Sequence, residues 1–243
     1  MTPPDVHARR GIAAAAVATD RLTAAVAELD NAGVRGPSLL PGWTRAHVIS
    51  HLARNADALL NLLTWARTGV EHPMYTSRAD RDAAIEEGSA RGYLLLTEDL
   101  AAACQRFARA ADDLPESAWS ATLTHPSGAP LDAAAVPWLR TREVWVHLVD
   151  LDVGVGFDAV PNDLVEPLLE DAVGQLDGRP NVPALAVEAT LPDGRQRSWL
   201  VSSNAGSGTS EVRGNGPDLL AWLTGRSAGA GLSGSLPALP PWA

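Results

Sequence analysis

Pro41-Gly42-Trp43-Thr44-Arg45-Ala46-His47-Val48-Ile49-Ser50-His51-Leu52-Ala53 opens a run, residues 44–67, whose apolar positions recur at helical spacing until Gly69 stops it. A second stretch, Arg142-Glu143-Val144-Trp145-Val146-His147-Leu148-Val149-Asp150-Leu151, has the same periodicity. Each carries two metal-competent side chains four residues apart, His47 with His51 and Glu143 with His147. That separation places both members of a pair on one helical face, one turn apart. Helices of a bundle that turn such pairs inward build a metal centre. Zinc accepts imidazole nitrogen and carboxylate oxygen, and its catalytic sites use three protein ligands and leave one position open. Four candidates therefore compete for three places. A buried histidine bonded to a glutamate on the next helix meets the same spacing.

Working outward, helical periodicity covers residues 4–29, 44–67, 78–112 and 132–153, with a possible interruption at 88–92. Pro3 and Pro4 stand at the start of the first helix and Pro115 follows the third; Asp132 can cap the fourth, and Gly154 and Gly156 end it. Four helices of this length joined by polar loops, including 36–42 and 120–130, describe a four-helix bundle. The texture changes after Pro161. One helix over 163–176 precedes an alternating strand at 184–191, the turn Pro192-Asp193-Gly194 and a hairpin partner at 196–201. A short strand at 211–213 leads into a helix at 217–224 that Pro217 opens and Gly225 stops. The expected fold is α+β overall, a helical bundle over residues 1–157 followed by a small α+β domain over 158–243.

Composition narrows the function. A net charge of −10 argues against nucleic acid as a partner, since that binding needs a basic surface. An anionic substrate must then be drawn by a local positive spot against the global field. No apolar run approaches the about 18 residues that span a bilayer, and the alanine-rich start lacks the pattern of a signal peptide. We expect a cytoplasmic protein, monomeric or weakly homo-oligomeric, with no membrane partner. The single cysteine, Cys104, excludes an internal disulfide and a cysteine-rich metal site. No base or cation flanks it, and it reads as a small buried apolar residue.

The segment 41–53 resembles the second-helix signature of the DinB-like metal-binding bundles. The segment 142–151 resembles the fourth-helix signature of one branch of them, the mycothiol-dependent maleylpyruvate isomerase family of high-GC Gram-positive bacteria. Residues 61–69, Pro73-Met74-Tyr75 and Leu223-Thr224-Gly225-Arg226 also fit that branch, so the likeness spans nearly the whole chain. It implies His51, Glu143 and His147 as ligands of a divalent metal, zinc by expectation, with His47 a neighbour one turn away. It implies mycothiol as cofactor, and isomerisation of maleylpyruvate to fumarylpyruvate, in aromatic catabolism, by reversible thiol addition.

Two further residues enter as catalytic candidates. Asp150, three residues after His147, could orient a ligand histidine or the thiol, or instead pair with Arg140 or Arg142. The resemblance implies that Arg226 holds a substrate carboxylate, where a planar guanidinium binds two oxygens at once; its alternative is to satisfy helix-terminal carbonyls. Trp43, Trp65 and Trp145 read as core or pocket wall. Two other functions stay open on these motifs: a mycothiol S-transferase acting on electrophiles, and a non-catalytic, metal-stabilised binding module.

Overall fold

The computed structural model describes residues 3–203 and 208–242. The chain divides into two units, Met1–Val153 and Gly154–Ala243.

In the first unit four long helices, α1 (Pro4–Ala27), α3 (Arg45–Thr68), α5 (Tyr93–Asp112) and α6 (Val136–Asp150), pack as a bundle, with α3 against α5 and α1 against α6 as its main seams. The α1 seam is built of small residues: Ala8, Ala14, Ala15, Ala18 and Leu22 are buried along one stripe. Gly11 lies in the same stripe, and a Cβ there would stand 3.0 Å from Pro137 Cβ and 3.1 Å from the Trp138 nitrogen. Backbone cannot yield as a side chain does. Gly11→Val is therefore expected to destabilise the unit by about 1–3 kcal/mol through overpacking, read as a lower urea midpoint at unchanged slope.

The expected third helix is two. α4 (Arg78–Ser89) ends and α5 begins across Gly92, and a short helix absent from the sequence reading, α2 (Asn31–Arg35), docks on the break. Arg35 donates to the carbonyls of Ser89, Ala90 and Arg91, which satisfies the open end of α4. Asn31 Oδ1 accepts from the Tyr93 amide at 2.9 Å and caps α5. These partners are far away in sequence, so only the possibility of an interruption was visible locally. The loop expected at 120–130 holds a small antiparallel pair, β1 (Thr122–Thr124) with β2 (Pro130–Asp132).

The second unit contains α7 (Asn162–Leu176), β3 (Leu185–Thr190), β4 (Gln196–Val201), β5 (Ser210–Asn215), α8 (Gly216–Leu223) and β6 (Ser233–Gly234). Its sheet runs β4-β3-β5-β6. The β3–β4 hairpin is antiparallel from Leu185↔Val201 to Thr190↔Gln196, and β3 and β5 run parallel. Leu185, Val187 and Ala189 alternate inward, and α7 and α8 supply the apolar cover. Asn215 caps α8 by accepting from the Asp218 amide at 2.8 Å.

Candidate metal centre

His51 stands on α3, and Glu143 and His147 one turn apart on α6. The α3–α6 packing brings one ligand atom from each within 4.8 Å of the others. His51 Nε2 lies 3.3 Å and His147 Nε2 3.7 Å from the same oxygen, Glu143 Oε2. The two imidazoles meet edge to face with centroids 4.5 Å apart. His51 is buried and the other two are half-buried, so the cluster has one accessible side.

The fourth candidate is used elsewhere. His47 Nδ1 accepts from the Thr44 amide at 3.1 Å and lies 2.7 Å from Thr44 Oγ1, closing the first turn of α3 as a capping box. Its Nε2 lies 3.4 Å from Glu86 Oε2. Trp43 stacks on His47 at 6.0 Å and tilts against His51 at 5.8 Å, so it forms a wall of the site.

The surroundings prepare the three side chains differently. Asp150, fully buried, places Oδ2 2.8 Å from His147 Nδ1. A carboxylate only accepts, so this contact puts the His147 proton on Nδ1 and leaves the Nε2 lone pair facing Glu143. His51 is held neutral: burial, then the neighbouring His147, lower its pKa to about 4 against the pull of Glu143. Burial alone would raise Glu143, but its bond to His51 and the charges of His147, His51 and Arg142 outweigh it and keep the carboxyl ionised well below the usual range. A carboxylate and two imidazoles converge, which is the donor set that suits a divalent zinc-type ion.

A buried polar chain behind the cluster escaped the sequence reading. Asn55 Nδ2 lies 3.4 Å from Glu143 Oε2 and is itself gripped through Oδ1 by Arg140 at 2.8 Å. Arg140 is wholly buried on α6 and also donates to the Leu52 carbonyl and to Cys104 Sγ. Asn55 continues the 47, 51 series by another four residues, and Arg140 precedes Glu143 by three. Helical spacing could therefore have shown both. On the open side, Arg81 of α4 puts Nη2 3.3 Å from His51 Nδ1; no local pattern marks it. His125, in the β1–β2 turn, is lowered by burial and then by Arg142, with Glu143 opposing, which sets that turn within electrostatic reach of the cluster.

Arg226 lies in the second unit, just beyond α8, after Gly225 at φ 76°. Its Nη1 donates to the Thr224 carbonyl. Trp145 is core, and Cys104 is buried on α5.

Comparisons with known proteins agree with this architecture. Residues 15–152 match the family model of the mycothiol maleylpyruvate isomerase N-terminal domain, and residues 159–241 that of the MDMPI C-terminal domain. No protein of curated function matches by sequence. Two solved structures, a mycothiol-dependent maleylpyruvate isomerase and a histidine-to-alanine mutant of that enzyme, each match at a TM-score of 0.85 and 28% identity, over 97% of this chain and 96% of theirs. The chain belongs to the mycothiol-dependent maleylpyruvate isomerase family of enzymes.

Proposed function

We propose that this protein is a cytoplasmic, zinc- and mycothiol-dependent isomerase that converts maleylpyruvate to fumarylpyruvate. The observation that carries the reading is the convergence of His51, Glu143 and His147 within 4.8 Å, on a chain matched along 97% of its length by a mycothiol-dependent maleylpyruvate isomerase. His51, Glu143 and His147 are the residues that would hold the metal. Bound there, the cation supplies local positive charge and favours the thiolate form of a coordinating thiol. Mycothiol, when bound, would supply a thiolate able to add reversibly to a conjugated alkene, the double bond returning on its elimination.

The chain's own residues support that chemistry in separate ways. Cys104 is the only cysteine, and it is buried on α5 under the guanidinium of Arg140, so the protein offers no thiol of its own. His51 is neutral; Arg81 can only donate to its Nδ1, so its single proton lies on Nε2 toward Glu143 and must leave or shift before that nitrogen takes a metal. Asp150 is a positioning residue that fixes the His147 tautomer. Trp43 shields one side of the cluster from water.

The assay is maleylpyruvate absorbance with zinc-loaded protein and mycothiol, with His51→Ala as control. Thiol-dependent conversion that vanishes in the variant supports the isomerase. A metal that binds wild type stoichiometrically, without conversion, would move the function to S-transfer, and a site that never takes up thiol would leave only a metal-stabilised binding module. Asp150→Asn is expected to weaken zinc by about 10–100-fold in chelator competition while the urea midpoint of the metal-free protein stays put. A midpoint that falls with zinc affinity unchanged would make Asp150 structural only.

A further inference from the structure

Beside the triad the helical unit contains a cavity of about 510 Å³, inside the range of about 300–1,000 Å³ typical of small-molecule sites. α3 contributes Arg54, Asp57 and Asn61 to its lining, the segment after α3 contributes Tyr75, and α4 contributes Asp80 and Arg81. Two of these connect it to the metal cluster. The Arg81 guanidinium lies over the Tyr75 ring, 5.9 Å from its centroid, and reaches His51 Nδ1 at 3.3 Å. Burial pushes the Tyr75 phenol up, Arg81 opposes this, and the Glu143 charge adds to it, so the phenol is within electrostatic reach of the triad. Arg81 is common to the cavity lining and to the contacts of the cluster.

The charged lining is mixed: two guanidinium groups, Arg54 and Arg81, stand with two carboxylates, Asp57 and Asp80, and His72 lines the cavity as well, so no one sign dominates it. The carboxylates are also held in place. Asp57 accepts from Arg106 at 2.6 Å and Asp80 from Ser77 at 2.9 Å. Asn61 donates weakly to the Pro73 and Met74 carbonyls at 3.3 and 3.4 Å, which ties the overlying segment to α3. A neutral molecule rich in hydroxyl and amide groups meets polar side chains from α3, α4 and the segment between them, set among Ala58, Leu60, Pro73, Met74 and Ala84, and such groups bind well where fixed partners await them.

We propose that this cavity holds the neutral amino-sugar–inositol body of the thiol cofactor, leaving its cysteinyl arm to extend past Arg81 toward the triad. The assignment rests on the mycothiol-dependent reading above and adds to it a binding site on the helical unit itself.

The probe is the thiol-free N-acetylglucosaminyl-inositol, titrated calorimetrically into zinc-loaded and zinc-free protein. The comparison variant is Ala84→Phe, since Ala84 lines the cavity from α4 and is half-buried, away from the triad. Wild type should bind the probe with or without zinc, and Ala84→Phe should bind it at least about 10-fold more weakly, a loss of about 1.4 kcal/mol. Stoichiometric zinc uptake and an unchanged melting curve certify that the variant is folded. Absence of probe binding to wild type, or equal binding by a folded Ala84→Phe, overturns the subsite. If the probe binds as expected but mycothiol supports no reaction, the subsite stands and the isomerase reading falls. If mycothiol supports conversion and the probe does not bind, the reverse holds.

Discussion

Glu143→Gln is expected to abolish metal retention and, with it, turnover. The glutamine keeps the size of the side chain and still offers an oxygen to Asn55 Nδ2, now at 3.4 Å from Glu143 Oε2. What it removes is the one carboxylate among the three candidate ligands. Two imidazoles remain, and a divalent cation taken from water needs more than that. Because changing even an outer-shell partner costs about 10–100-fold in affinity, loss of the anionic ligand should exceed about 100-fold. Chelator competition measures it, and isomerase rate at saturating zinc should fall in step. A glutamine variant that keeps zinc at wild-type affinity would show that the triad is a hydrogen-bonded cluster and not a metal centre. Glu143→Asp serves as the companion: it restores the charge one methylene short and should recover part of the affinity.

Arg140→Ala is expected to be the most destabilising single change in the helical unit. The side chain is wholly enclosed and donates to the Leu52 carbonyl at 2.8 Å, to Asn55 Oδ1 at 2.8 Å and to Cys104 Sγ at 3.2 Å. Truncation leaves a cavity between α3, α5 and α6 and strands Asn55, and core truncations of this size cost about 2–5 kcal/mol. A second effect should separate from the first. Asn55 is the link from Arg140 to Glu143, so zinc affinity should weaken as well. Arg140→Met fills most of the volume without the charge and dispenses with the desolvation of a buried guanidinium. It should therefore recover most of the urea midpoint and none of the zinc affinity. Recovery of both would reduce Arg140 to packing alone.

Much of this molecule can be read from one dimension. Spacing of four along α3 and α6 is enough to place His51 on one face and Glu143 with His147 on another, because a helix repeats every 3.6 residues whatever surrounds it. Punctuation by Pro and Gly locates the ends of α3 and α8, and the Pro192-Asp193-Gly194 turn locates the β3–β4 hairpin, because these residues act through their own dihedral angles. The family likeness rested on the same local words, the segments 41–53 and 142–151.

The remaining features depend on partners distant in the chain. Spacing alone ranked His47 equally with His51; the contacts of His47 with Thr44 and Glu86, against those of His51 with Glu143 and Arg81, separate them. The break between α4 and α5 is secured by Arg35 and Asn31, some sixty residues earlier. The parallel pairing of β3 with β5 joins strands that local signals leave unordered. Sequence by itself determined which helical face each candidate ligand occupies, since that follows from backbone geometry over one or two turns. Only the tertiary structure decided which faces meet, which buried charge has a neighbour, and which cavity opens beside the cluster, because those depend on contacts between elements whose relative placement no local periodicity encodes.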